Sequence, residues 1–154
     1  MTLTYGLSSV RHLFAKLQRD AALLGEEVTS DRFFNFVVTG YSMIDWVKND
    51  PSVPAAARTA PALDGLRDDQ WLKVCGDLAI ASKHFTLTLR KAKAITASAD
   101  SSRGYGVGRD GKGAYGVGEE SIEVQLSDGT SLRCLDLVTG VVSTWKTFFT
   151  TQGV

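Results

Sequence analysis

The stretch DRFFNFVVTGYSMIDWVKND, residues 31–50, decides how the rest of the chain is read. Phe33, Phe36, Val37, Tyr41, Ile44 and Val47 recur at spacings of three and four, which lines one side of a helix over about Asp31–Lys48 with apolar groups. Thr29 and Ser30 are available to cap its start. Asp31 places a negative charge at the positive end of the helix dipole. Asn49, Asp50 and Pro51 stop it. This is the most apolar helix of the chain, so it is expected to lie centrally.

On the N-terminal side, residues 8–26 read as a helix capped by Ser8 or Ser9, with Val10, Leu13, Phe14, Leu17, Ala21 and Leu24 on one stripe. On the C-terminal side, residues 51–63 hold all three prolines and read as a surface crossover. A third helix is expected from about Leu66 to His84, with Trp71, Val74, Cys75, Leu78, Ala81 and Phe85 inward. The period then changes. FTLTLR at 85–90, ITAS at 95–98 and SIEVQL at 121–126 alternate as strands do. Ser127-Asp128-Gly129-Thr130 is a hairpin turn, and SLRCL at 131–135 is its return strand. Residues 104–118, GYGVGRDGKGAYGVG, carry seven of the 15 glycines and two near-copies of one pentapeptide. A last helix runs from about Asp136 to Thr150; Gly140 within it either weakens it by ~1 kcal/mol against alanine or permits close helix contact. The expected architecture is mainly α with a minor β part. It is a four-helix bundle, with a small antiparallel β unit inserted between helices three and four, in a single domain over residues 1–154.

Composition narrows the function. The chain has 154 residues, 17 basic and 17 acidic side chains and 44% apolar residues, which suits one globular domain rather than a disordered chain. A net charge of zero argues against a bulk nucleic-acid binder. Charge is nevertheless divided along the chain: residues 83–112 carry a net +5 and residues 26–77 a net −4. A molecule polarised in this way can steer toward an oppositely charged partner. No apolar run is long enough to span a bilayer and no signal-peptide layout begins the chain, so a cytoplasmic location without a membrane partner is expected. Cys75 and Cys134 lack metal-ligand spacing and read as buried thiols, so neither a metal nor a cofactor is expected.

Candidate chemistry is sparse. The glycine tract does not make a phosphate loop, because Gly111-Lys112-Gly113 leads into Ala114 rather than a Ser or Thr opening a helix. The acid–base candidates are His84, Lys83, His12 and Asp45. The two rings approach if the first and third helices are neighbours; otherwise His84 simply caps a helix end. Asp45 stands among Met43, Ile44, Trp46 and Val47 in sequence and is expected to bond His84, Lys83 or Arg11. His12 reads as a half-buried partner of Asp45 or Asp77. Trp46, Trp71 and Trp145 read as core rather than as a ligand site. The basic and aromatic residues of the insert, Arg90, Lys91, Lys93, Arg103, Tyr105, Arg109, Lys112 and Tyr115, form the candidate partner-binding set.

Asp45-Trp46, Cys75-Gly76-Asp77-Leu78-Ala79 and Ser82-Lys83-His84-Phe85 give the chain a pattern that resembles small bacterial and phage helical proteins, and its helical part is similar to HEPN domains. That resemblance implies a compact bundle from toxin, CRISPR or abortive-infection systems. In many members an arginine separated from a histidine by four to six residues forms a metal-independent ribonuclease site, completed by dimerisation. Here the positions that would hold the arginine are Asp77, Leu78 and Ala79, so resemblance implies the scaffold more than the activity. The expected function is therefore a non-catalytic protein-interaction module, in a defence or anti-CRISPR-like counter-defence setting, that uses the basic insert. The alternative is a ribonuclease using His84, with RNA as ligand. A homodimer is the further partner considered.

Overall fold

The computed structural model describes residues 5–85, 92–102 and 119–154. The fold is mainly helical with a small three-stranded antiparallel sheet. In chain order the elements are α1 (Val10–Glu26), α2 (Ser30–Asn49), a short 3-10 turn (Ala55–Arg58), α3 (Ala60–Asp68), α4 (Gln70–His84), β1 (Ala94–Ser102), β2 (Glu119–Leu126), β3 (Ser131–Arg133) and α5 (Cys134–Gln152).

Local chemistry sets these boundaries. Ser9 caps α1 by accepting from the His12 N–H, and Thr29 caps α2 by accepting from the Arg32 N–H. The expected third helix is two helices. Asp69 has extended backbone and its carboxylate accepts the Trp71 and Leu72 N–H groups at 2.9 and 3.0 Å, so it starts α4 anew. Pro61, expected in a crossover, instead lies in the first turn of α3, where its missing N–H costs nothing. At the other end the return strand stops at Arg133, and α5 begins two residues earlier than periodicity suggested. The expected strand at 85–90 falls outside the described residues, apart from Phe85.

α2 and α5 each pack against both α1 and α4, and they meet each other between them. α2 is central, as its composition demands: Phe36, Met43 and Val47 are fully buried or nearly so. Close approach is bought with glycine at two crossings. Gly40 faces Cys75, Val141 and Leu17, and its carbonyl accepts the buried Trp145 indole N–H at 3.0 Å. Gly140 lies so near the Trp71 ring that a Cβ there would overlap it. Phe14, Trp145, Phe148 and Phe149 form an aromatic cluster that closes α5 on α1. All three tryptophans belong to or pack on the core.

The sheet has the order β1-β2-β3. Gly129, with a φ of 84°, makes the predicted turn into β3. Ile122 and Val124 are buried under β2, so the sheet shares the helical core.

Candidate interaction surface at the sheet end

Two ends of the molecule follow from the helix directions. The Val10 N–H at the start of α1 donates to Asp50 at the end of α2, and Phe149 near the end of α5 meets Phe14. The opposite end collects the finish of α1, the start of α2, the finish of α4, the start of α5 and the sheet. Two carboxylates hold the sheet there. Asp77, only 5% exposed on α4, accepts the Lys93 and Ala94 N–H groups at 2.6 and 2.9 Å. Glu120 on β2 accepts the Ser30 N–H and hydroxyl at 2.6 and 3.0 Å, and so satisfies an orphan donor at the α2 N-terminus.

The sequence-derived candidates divide between the two ends. Lys83 and His84 are adjacent and exposed at the end of α4, beside the sheet. His12 lies at the start of α1 and Asp45 in the last turns of α2, toward the other end of the molecule. α1 and α4 are separated by α2 and α5, so the two histidine rings do not approach. His12 is exposed and its ring meets Ser8, not an acid. Asp45 is exposed too, which corrects the expected bond to His84, Lys83 or Arg11: its helical neighbours one turn away are Tyr41, Ser42, Lys48 and Asn49, a polar surface. Asp77 serves the backbone of β1 rather than His12. Burial pushes the Cys75 and Cys134 thiols up to about 12, so neither is a nucleophile at neutral pH.

Of the partner-binding set, Lys93 is placed by the Asp77 anchor. Arg90, Lys91, Arg103, Tyr105, Arg109, Lys112 and Tyr115 lie outside the described residues.

Periodicity placed Phe85 on the inner face of the third helix, and the structure corrects that: the helix ends at His84, so the stripe does not carry Phe85 inward. Phe85 follows α4 with a φ of 66°, a left-handed conformation that is strained for a bulky residue, and its side chain is 94% exposed. Leu23 in the last turns of α1, Phe34 in the first turns of α2 and Leu135 in the first turn of α5 are exposed as well. Thus four of the five large apolar side chains left exposed among the described residues belong to helix ends at the sheet. No family model, curated protein or solved structure matches the chain.

Proposed function

We propose that the chain is a non-catalytic module that binds an acidic protein partner at its sheet end. In this reading α1, α2, α4 and α5 act as a four-helix body. In sequence the basic, glycine-rich tract joins β1 to β2 within the β unit between α4 and α5. One observation supports the reading: the exposed apolar side chains Leu23, Phe34, Phe85 and Leu135 belong to the helix ends at the sheet, and the basic tract of the sequence belongs to the same β unit. An exposed apolar anchor such as Phe85 with a charged rim is the anatomy of a binding hot spot, and a rim supplied by the basic insert would select an acidic partner. The insert would add Arg90, Lys91, Arg103, Arg109 and Lys112 to that rim, and Tyr105 and Tyr115 as further aromatic contacts. A defence or counter-defence setting rests on the resemblance of the sequence pattern alone.

Affinity capture with identification of the bound protein tests this. The full chain should retain a defined partner, with retention falling as salt is raised. Deletion of residues 103–118 and the variant Phe85→Ala/Lys83→Glu should each lose it. Unchanged recovery with both would refute the reading. A second reading keeps one observation in its favour: His84 stands exposed with Lys83 beside it. RNA cleaved by the parent and spared by His84→Ala would establish the ribonuclease instead.

A further inference from the structure

We propose that the Asp128–Gly129 bond in the turn between β2 and β3 is a site of spontaneous isoaspartate formation that the Thr130 hydroxyl holds closed. The inference is independent of the acidic partner.

The sequence contains three Asp-Gly pairs, at 64–65, 110–111 and 128–129. Such a pair is chemically labile, because glycine has no side chain to shield its amide nitrogen from the carboxyl beside it. The nitrogen attacks Cγ of the aspartic acid. It gives up its proton, the carboxyl gives up its hydroxyl, and water leaves as a succinimide ring closes. A second water then opens the ring. Opening at the side-chain carbonyl restores aspartate. Opening at the main-chain carbonyl leaves isoaspartate, whose main chain runs on through Cβ and Cγ.

Ring closure needs a glycine N–H that can be released and a protonated carboxyl free to turn toward it. The turn at 127–130 withholds both. The Gly129 N–H donates to the Leu126 carbonyl at 3.0 Å. One carboxylate oxygen of Asp128 accepts the Thr130 N–H at 3.0 Å and the Thr130 hydroxyl at 2.6 Å. The carboxyl is thus committed to residue 130 rather than to the amide that precedes it. The hydroxyl bond is also the first cause that holds the Asp128 carboxyl below the usual 3.8, followed by the Thr130 N–H, so its protonated form is scarcer than in an unfolded chain. Of the two bonds, only the hydroxyl's can be removed without touching the main chain. The pair at 64–65 is guarded differently. It lies inside α3, where the Gly65 N–H is held by the carbonyl four residues earlier. The pair at 110–111 lies outside the described residues.

Isomerisation at Asp128 would reach beyond the turn. The Leu126 N–H donates to the Thr130 carbonyl at 2.9 Å, the Ser127 N–H donates to the Lys93 carbonyl at 2.8 Å, and β3 leads directly into α5. Lengthening the main chain between Asp128 and Gly129 strains these bonds and loosens β3 from β2.

Ageing the full chain at neutral pH, with electron-transfer fragmentation of its peptides to locate isoaspartate, tests this. The folded parent should accumulate isoaspartate at Asp128 far more slowly than the parent held in urea. Folded Thr130→Val should accumulate it about fivefold faster than the folded parent, the factor that one net hydrogen bond represents, with an unchanged melting temperature. Thr130→Ser keeps the hydroxyl and should match the parent. The rates at 64–65 and 110–111 should be the same in all three folded proteins. A parent that ages at Asp128 as fast folded as in urea, a valine variant as slow as the parent, a serine variant as fast as the valine one, or faster ageing at all three pairs would overturn the proposal. If Thr130→Val does not fold, Thr130→Ala takes its place.

Discussion

Asp50 joins the end of one helix to the start of another. Its backbone closes α2, and its carboxylate accepts the Val10 N–H at 2.7 Å and the Ser52 N–H and hydroxyl at 2.9 and 2.7 Å. Burial alone would raise its pKa. The bonds from Ser52 and Val10 and the charge of Arg58 outweigh that and hold it below the usual carboxylate value of 3.8. A depressed folded pKa means stabilisation that is complete above the unfolded value and is lost as pH falls through it toward the folded one. Asp50→Asn should therefore cost about 1–2 kcal/mol at pH 7, from weakened charged hydrogen bonds. The gap between parent and variant in urea midpoints should begin to narrow below about pH 4, where the unfolded carboxylate takes its proton, and narrow further as pH falls. A gap that stays constant as pH falls from about 7 to the acid limit of the fold would show that the carboxylate charge is not what matters. The sequence marked Asp50 as a helix stop, but no local pattern could reveal an acceptor for Val10, 40 residues away. Asp45 and Asp77 show what could have been read. Each sits among apolar letters, but burial follows neighbours one helical turn away. Those of Asp45 are mostly polar, whereas Asp77 has Val74, Ile80 and Ala81. A carboxylate on that stripe signals a buried acceptor.

At the scale of elements, α1, α2 and α5 were legible because a 3.6-residue apolar stripe is a strong local signal. The break between α3 and α4 was not, although Asp69 is a capping residue type. Without the fold, an acid inside a helical pattern looks the same whether it caps or faces solvent. The Thr144 hydroxyl, donating to the same Asp69 oxygen at 3.2 Å, ties that break to α5. The α4–α5 contact then turns on Gly140 against Trp71. Two effects compete in Gly140→Ala. Helix propensity favours alanine by ~1 kcal/mol. Overlap with the Trp71 ring, half-buried against the core, costs ~1–3 kcal/mol. The ring fusion itself, not a flexible chain end, stands in the way, so overlap outweighs propensity and a net loss of up to about 2 kcal/mol is expected in chemical denaturation. In a Trp71→Leu background the same change should become neutral or stabilising, because only the propensity remains. Equal loss in both backgrounds would mean that the ring is not the obstacle.

The whole molecule is a helical body and a sheet with one shared core, and the sheet depends on few fixed points. Ile122 and Val124 bury beneath it, Glu120 reaches Ser30, and Asp77 holds the first residues of β1. Of these, Asp77 is the critical one. Its removal leaves the Lys93 and Ala94 N–H groups without their acceptor at a place where the Ala94 side chain is buried. Each such donor costs ~1–3 kcal/mol, so Asp77→Ala should lose roughly 2–4 kcal/mol. The more telling quantity is where that loss appears. α1, α2 and α5 are tied by their own apolar contacts and by the Trp145–Gly40 bond, none of which involves Asp77. Opening should therefore become local to the sheet, because structural units with few buried contacts open below the global free energy. Native-state hydrogen exchange on Asp77→Ala should show β1 and β2 amides accelerated most, with α1 and α2 amides slowed as in the parent relative to the sheet. Uniform acceleration across all elements would instead mean that sheet and helices unfold as one unit. In that case the sheet end is a rigid platform, and a partner docking there would be stabilised against the whole fold rather than against a separable flap.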